Sequence, residues 1–333
     1  MPGKPKILVT RHIPYLDVSK YEDVVDIEFN HEEIPLSDQR LSTKMKEIEG
    51  LLCFSKDIVN GEMLESAPLL RVISQHSTDY PNIDLNEATK RGVYVTYLAG
   101  ETVANAVAEL TMGMIVAVTR KMVEAHNMVV QGEWKHKGPA QFLSRELKNK
   151  VLGIVGLGEI GRLVAKLAKG FDMKLLYSSR TRKPYVEKEL SIGYVDLERL
   201  LRESDIVTLH VKLTNETHHM IGEEELRLMK TTAYLVNTSR GKVVDEKALI
   251  SALESGQIAG AALDVFEKEP LEANNPLVNL KNALLAPHIG GATEEARRME
   301  IDYAINNIIL TLRGEIPEKL ANPEVLKSLR EKK

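Results

Sequence analysis

The sequence predicts an α/β protein with two parallel sheets, and three features support this fold class. Short apolar runs rich in β-branched residues alternate along the chain with longer stretches that have a helical period. Such alternation is typical of strand–helix–strand units, which form parallel sheets. A long apolar segment near the middle separates two sets of these runs, and 333 residues are enough for two domains with separate cores.

The predicted strands define the domain boundaries. The first set is KILVT (6–10), VVDIEF (24–29), GLLCF (50–54), LRVIS (70–74) and VYVTYL (93–98). The second set is LGIV (152–155), KLLYSS (174–179), DIVTLHV (205–211), AYLVNTS (233–239), AGAALDVF (259–266) and ALLAPHI (283–289). We expect a doubly wound domain at 101–289 and another α/β domain at 1–100. The helical tail Ala292–Leu310 is too short to fold alone, so residues 290–333 are assigned to the first domain.

The segment Thr102–Val130 is predicted to be one long helix. Its sequence is apolar on more than one face, and such a helix needs a second surface against which to bury itself. We therefore expect a crossover between the domains that also contacts a partner subunit. The sequence thus predicts a subunit contact through Thr102–Val130.

Composition narrows the class of protein. The 43% apolar and 28% charged residues are typical of a soluble globular protein, and the net charge of −4 argues against a nucleic-acid partner. No apolar run is long enough for a signal peptide or a membrane span, so we expect no membrane contact and a cytoplasmic location. The single cysteine, Cys53, lies in an apolar run and is predicted to be a core residue, and no metal site is expected.

A glycine motif follows the first run of the second set. Gly156, Gly158 and Gly161 have the spacing G-x-G-x-x-G between the apolar run Val151–Val155 and the helical pattern of Glu159–Lys169. In a strand–turn–helix context these glycines permit a tight turn, close approach of a pyrophosphate and close packing of the helix. The motif therefore predicts a dinucleotide site.

The end of the next strand indicates which dinucleotide binds. A site that prefers NAD places an acidic residue there to bind the ribose 2′-hydroxyl. This chain has Ser179, Arg180, Thr181 and Arg182 instead. We expect both guanidinium groups to face the ribose and to bind a 2′-phosphate, so NADP(H) is predicted and NAD, although possible, is disfavoured. The alternative is that the arginines are a solvated strand end.

Three later strand ends carry candidate catalytic residues. Arg240, Glu269 and His288 follow separate apolar runs, and in an open parallel sheet such ends converge on the ligand. Arg240 is expected to bind a substrate carboxylate and its keto oxygen, and His288 to donate a proton to that oxygen. Glu269 is expected to raise the pKa of His288 and keep its ring charged.

Asp264, at another strand end, is predicted to accept a hydrogen bond from the nicotinamide carboxamide, with a helix cap as the alternative. The full predicted cofactor site comprises Gly156, Leu157, Gly158, Glu159, Ile160, Gly161, Ser179, Arg180, Thr181, Arg182, Thr238, Ser239 and Asp264.

NTSRGKVVDEKAL, ALDVFEKEP and APHIGG, together with the glycine motif, resemble the D-isomer-specific 2-hydroxyacid dehydrogenases over nearly the whole chain. Within that family YSSRTRK and GEWK are most similar to the glyoxylate and hydroxypyruvate reductases. The resemblance implies a Rossmann doubly wound domain inserted into a flavodoxin-like substrate domain, and a homodimer through Thr102–Val130. It also implies the catalytic roles of Arg240, Glu269 and His288, and the nicotinamide role of Asp264.

One loop departs from the family pattern. Where the family usually has Val-Gly-Tyr-Asp-Asn-Ile-Asp around the substrate carboxylate, this chain has Thr78, Asp79 and then Tyr-Pro-Asn-Ile-Asp. Two like charges about 4 Å apart at an effective dielectric near 20 repel by roughly 4 kcal/mol. Asp79 must therefore point away, be neutralised or recognise a hydroxyl or amine on the substrate, unless the loop merely tolerates Asp in a left-handed conformation.

The sequence thus predicts an NADPH-dependent reductase of a small 2-oxo acid, with glyoxylate or hydroxypyruvate as the leading substrate. Thr78, Asp79 and Arg240 are its expected substrate-binding residues. A family member with a different substrate, suggested by Asp79, and a non-catalytic cofactor-sensing regulator are the alternatives.

Overall fold

The computed structural model describes residues 3–13, 17–32, 34–98, 100–136, 138 and 140–327. The chain forms two compact units. One comprises Met1–Thr102 with Thr293–Lys333, and the other comprises Val103–Ala292.

The first unit contains, among its described residues, a five-stranded parallel sheet in the order β2-β1-β3-β4-β5. The strands are β1 (Lys6–Val9), β2 (Asp26–Phe29), β3 (Gly50–Cys53), β4 (Val72–Gln75) and β5 (Tyr94–Tyr97), with helices α1 (Asp38–Met45), α2 (Gly61–Glu65) and α3 (Leu85–Arg91). Alternation along β1 places Leu8 in one core layer and Ile7 and Val9 in the other. The sheet is therefore covered on both faces, and each predicted strand of this unit is present.

The second unit contains, within the described part of the chain, a seven-stranded parallel sheet in the order β12-β11-β10-β9-β6-β7-β8. Its strands are β6 (Val151–Val155), β7 (Lys174–Ser178), β8 (Gly193–Tyr194), β9 (Ile206–Leu209), β10 (Tyr234–Asn237), β11 (Gly260–Leu263) and β12 (Ala283–Leu285). Its helices are α4 (Ala104–Thr119), α5 (Met122–Val130), α6 (Glu159–Lys169), α7 (Pro184–Leu190), α8 (Leu197–Glu203), α9 (Glu223–Leu228) and α10 (Glu246–Glu254). The sequence predicts six of these strands and misses β8, because two residues are too short for a periodic signal.

The direction of strand addition reverses at β6. From β6 the chain adds β7 and β8 on one side and then returns to place β9 on the other. Such a reversal opens a crevice at the carboxyl ends of the two central strands, where open α/β sheets bind their ligands. The glycine turn after β6 lies at this point.

The prediction of one helix over Thr102–Val130 is wrong. A 3-10 turn (Gly100–Val103) precedes α4, and Lys121 adopts a left-handed φ of 52° that separates α4 from α5. The apolar face of α4 is buried inside its own unit, against α6 and the sheet. A partner subunit is therefore not needed to cover α4.

The helical tail is α11 (Glu294–Leu312), capped by the Thr293 side chain. Ile301, Ala304, Ile305 and Ile308 of α11 are buried against the sheet of the first unit. The tail therefore belongs to that unit. Within the described residues, the helices are all too short or too polar to cross a membrane.

Candidate active site

The glycine turn joins β6 to α6, and each glycine meets a different requirement. Gly156 has a φ of 93°, and a Cβ there would lie 2.5 Å from the His210 carbonyl oxygen. A Cβ at Gly161 would lie 2.2 Å from the Gly156 carbonyl oxygen. The fold therefore needs glycine at both positions.

Gly158 differs from these two, because no described atom lies within 4 Å of a Cβ built there. Gly158 is also the N-cap of α6, and among the described residues no side chain caps its first amides. Amides at a helix N-terminus favour anions. The open backbone at Gly158 and the amides of Glu159 and Ile160 fit the diphosphate of a dinucleotide.

In the segment after β7 the Arg182 guanidinium is already paired within the protein. Its Nε and Nη2 donate to Glu187 Oε1 and Oε2 at 2.9 and 2.8 Å. The guanidinium carbon also lies 5.7 Å from the centre of the Tyr194 ring. The hydrogen bond from Arg182 holds the pKa of Glu187 below its ordinary value. Arg180, in contrast, is exposed.

Lys183 is a residue whose role the sequence does not reveal. Its Nζ donates to the Leu157 carbonyl at 2.6 Å, so the lysine spans from the segment after β7 to the glycine turn. The sequence feature that could have pointed to Lys183 is its position directly after the tripeptide RTR (180–182). That position does not show which way the side chain points.

His288 and Glu269 lie in contact at the ends of neighbouring strands. His288 Nδ1 donates to Glu269 Oε2 at 2.7 Å, and Glu269 Oε1 accepts from the Phe266 amide at 3.0 Å. The hydrogen bond with Glu269 raises the pKa of His288 against the opposing effect of burial. Burial acts to raise the pKa of Glu269, but the bonds from His288 and Phe266 bring it below its ordinary value. Together these shifts favour a charged imidazolium beside a carboxylate.

Asp264 fixes the backbone that presents His288. Its carboxylate, 1% exposed, accepts from the amides of Ile289 and Gly290 at 2.8 and 2.7 Å. His288 has a φ of 56°, a left-handed conformation that costs a non-glycine residue on the order of 1–3 kcal/mol. Asp264 therefore holds a strained turn, and the alternative that it caps a helix is wrong.

Arg240 lies on a turn that packs against the loop before Glu269. Asn237 shapes this turn by accepting from the Ser239 amide at 3.0 Å and donating to the Arg240 carbonyl at 3.0 Å. A Cβ at Gly241 would lie 1.9 Å from the Phe266 carbonyl carbon, so the two loops are in close contact. The charge of Arg240 contributes to the low pKa of Glu269. The structure thus brings Arg240, Glu269 and His288 to one edge of one sheet.

Two residues predicted to bind the cofactor, Thr238 and Ser239, form hydrogen bonds within the protein through their hydroxyl groups. Thr238 Oγ1 lies 2.8 Å from Thr111 Oγ1 of α4, and Ser239 Oγ donates to Asn237 Oδ1 at 2.8 Å. Their side chains hold the strand end in place. A cofactor would therefore meet the backbone groups of Thr238 and Ser239.

The unusual loop belongs to the first unit. Asp79 is exposed, and its amide donates to Ser77 Oγ at 3.2 Å. The described residues with positive φ do not include Asp79, so a left-handed conformation is not the reason for Asp at this position. Burial lowers the pKa of the adjacent His76 to about 3, so His76 is a neutral core residue near neutral pH.

The model of a known family matches residues 112–290, and its description is D-isomer specific 2-hydroxyacid dehydrogenase, NAD binding domain. A glyoxylate reductase of Thermococcus litoralis is 50% identical over 98% of this chain and 99% of its own length. The chain belongs to the D-isomer-specific 2-hydroxyacid dehydrogenases. The resemblance of its motifs to this family is confirmed, as is the Rossmann-type α/β fold.

Solved structures agree with this membership. A crystal structure of a Thermus thermophilus protein has a TM-score of 0.87 and 36% identity, covering 95% of this chain and 99% of that one. An acyclic imino acid reductase in complex with NADPH and D-Arg has a TM-score of 0.80 and 28% identity, with the same coverage of 95% and 99%. This dehydrogenase is thus an oxidoreductase with a nicotinamide cofactor.

Proposed function

We propose that this dehydrogenase uses NADP(H) to reduce a small 2-oxo acid, with glyoxylate or hydroxypyruvate as the leading substrate. The observation that carries a catalytic role is the 2.7 Å contact between His288 and Glu269 at the strand ends. The identity of 50% to a glyoxylate reductase supports the substrate class. Arginine in place of an acidic residue after β7 supports the phosphorylated cofactor.

The proposed roles follow from the chemistry of each side chain. The nicotinamide supplies the hydride. Arg240 binds the substrate carboxylate with its guanidinium fork and polarises the keto oxygen. His288 donates its proton to that oxygen, and Glu269 keeps the ring charged until the transfer. In the oxidation of a 2-hydroxy acid, the neutral ring accepts the proton instead.

The cofactor is proposed to bind the second unit mainly through backbone groups. The glycine turn and the first amides of α6 hold the diphosphate, while the turn at Thr238 and Ser239 supplies further contacts. Asp264 would accept a hydrogen bond from the nicotinamide carboxamide through any acceptor capacity left after its two amide bonds. On this proposal 101–289 is the NADP-binding domain, and 1–100 with 290–333 is the substrate-binding domain.

A different substrate is the second candidate, and Asp79 is the observation that favours it. Its exposed carboxylate would repel a simple 2-oxo acid nearby and would attract an amine. The imino acid reductase of similar fold, solved with NADPH and D-Arg, makes a nitrogen-containing substrate a concrete alternative.

A substrate panel with both cofactors tests these proposals. Wild-type protein and Asp79→Gly are assayed with NADPH and NADH against glyoxylate, hydroxypyruvate, pyruvate and 2-oxo acids that carry a distal amine. We expect kcat/KM to be highest with glyoxylate or hydroxypyruvate, and at least about tenfold higher with NADPH than with NADH, as one lost charged hydrogen bond implies.

If the amine-bearing acids are best and Asp79→Gly removes that preference, the second candidate replaces the first. If no 2-oxo acid supports NADPH oxidation, the reductase proposal is wrong and a cofactor-sensing role remains.

A further inference from the structure

We propose that Lys183 binds the 2′-phosphate of the cofactor, as the second cation of a site whose first cation is Arg180. The proposal rests on the NADP(H) function proposed above. It departs from the sequence expectation, which paired Arg180 with Arg182.

The position of the Lys183 ammonium group is the first argument. The Lys183 side chain is half-buried, and its Nζ lies 2.6 Å from the carbonyl oxygen of Leu157, between Gly156 and Gly158. Leu157 is 1% exposed, so the turn that carries this carbonyl is fixed by the core. The bond to Leu157 uses one of three ammonium N–H groups and leaves two for a ligand.

The charge balance at this position favours an anion. Among the described residues no carboxylate lies within ion-pair distance of Lys183 Nζ, so the protein does not neutralise it there. The N-terminus of α6, which begins at Glu159, adds partial positive charge beside it. A cation next to a helix N-terminus and without a carboxylate partner is stabilised when a phosphate binds.

The backbone at Lys183 is held in place by a chain of hydrogen bonds. The Lys183 amide donates to the Tyr177 hydroxyl at 2.7 Å, and that hydroxyl donates to Glu187 Oε1 at 2.7 Å. Glu187 in turn binds both Nε and Nη2 of Arg182. Arg182, whose two bonds to Glu187 hold this segment in place, therefore acts as a positioning residue.

The segment also indicates which phosphate Lys183 contacts. It follows β7, where dinucleotide-binding domains recognise the 2′ position of the adenosine ribose. Ser179 Oγ donates to the Thr181 carbonyl at 2.7 Å and so turns the chain between Arg180 and Lys183. The two cations then approach the 2′ position from either end of one short turn.

The test is calorimetric binding of 2′,5′-ADP and of 5′-AMP, which differ by the 2′-phosphate. The variants are Lys183→Met, Lys183→Arg and Arg182→Met. Lys188→Met is the matched control, because it removes the positive charge of an exposed lysine elsewhere, on α7. Thermal unfolding of each variant checks that it is folded.

We expect wild-type protein to bind 2′,5′-ADP more tightly than 5′-AMP. Lys183→Met should weaken the binding of 2′,5′-ADP by about 10- to 100-fold, as expected for one hydrogen bond between charged groups. It should weaken the binding of 5′-AMP by less than about threefold. Lys183→Arg should keep most of the preference for 2′,5′-ADP over 5′-AMP. Arg182→Met should weaken the binding of 2′,5′-ADP less than Lys183→Met does. Lys188→Met should bind both ligands as wild type does.

The proposal is overturned if Lys183→Met weakens both ligands equally or neither, or if Arg182→Met has the larger effect on 2′,5′-ADP. A wild-type protein that binds both ligands equally would instead contradict the proposed NADP(H) preference itself.

Discussion

At the scale of single residues, the proposed roles of His288 and Glu269 predict the pH range of reduction. Reduction needs a protonated ring, and Glu269 raises the pKa of His288 above its ordinary value. Wild-type kcat/KM should therefore fall only at a pH above the ordinary imidazole pKa of about 6.5. In Glu269→Gln the raising hydrogen bond to a carboxylate is lost, so the fall should move to lower pH.

The measurement is kcat/KM for reduction between about pH 5 and pH 9. Oxidation of the 2-hydroxy acid is the control, because its pH dependence should be opposite. Oxidation needs the neutral ring, so its rate should rise with pH where reduction falls. Identical pH profiles for wild type and Glu269→Gln would remove Glu269 from this role.

Much of this residue chemistry could be predicted from the sequence, because strand ends of a parallel sheet converge and the apolar runs locate those ends. The partner of Arg182 could not, since Glu187 lies in α7 and the contact depends on how that helix leaves the strand. The bonds of Asp264 to the amides of Ile289 and Gly290 also escaped prediction. Amide orientation in a loop has no periodic signal.

At the scale of elements, alanine substitution of two glycines in the β6–turn–α6 unit should separate an effect on stability from an effect on cofactor binding. Gly161→Ala places a methyl group against the Gly156 carbonyl and should lower the free energy of unfolding by about 1–3 kcal/mol. Gly158→Ala meets open space, so stability should change by less than about 0.5 kcal/mol. It should nevertheless weaken NADPH binding by at least about tenfold, because the methyl group occupies the approach of the diphosphate.

Urea unfolding and titration of NADPH fluorescence measure the two effects separately. The matched Gly→Ala changes differ only in position, so each variant is the control for the other. Normal NADPH affinity in Gly158→Ala would show that the diphosphate does not bind at this turn.

Elements with strong apolar periodicity could be predicted, and α6 begins and ends where its sequence pattern does. The break between α4 and α5 could not. Arg120 and Lys121 both favour helix, so local propensity gives no sign of the left-handed Lys121. The packing of α4 against α6 and the sheet, which involves residues distant in sequence, is what distinguishes the two helices.

At the scale of the whole molecule, α5 differs from the other described α-helices because none of its residues is buried. Because α4 is buried within its own unit, the subunit contact predicted from the sequence is restricted to the C-terminal part of Thr102–Val130. Every residue of α5 is exposed or half-exposed, with Met122 at 54%, Val129 at 57% and Val130 at 69%. A groove of about 660 Å³ beside α5 is lined by Val123, Glu124 and residues 278–284. Exposed apolar side chains on one helix are typical of a protein interface.

We therefore predict that the chain forms a homodimer through α5, and that the double variant Val129→Asp/Val130→Asp is a monomer. Two carboxylates buried in an apolar interface without partners cost several kcal/mol each. This cost is comparable to the free energy of association of an ordinary dimer. Light scattering after size exclusion measures the mass, and circular dichroism checks the fold. Ile316→Asp, at a residue of the first unit that is 62% exposed, is the control and should leave the dimer intact. A monomeric wild type, or a double variant that remains dimeric, would show that the exposed face of α5 is not the subunit contact.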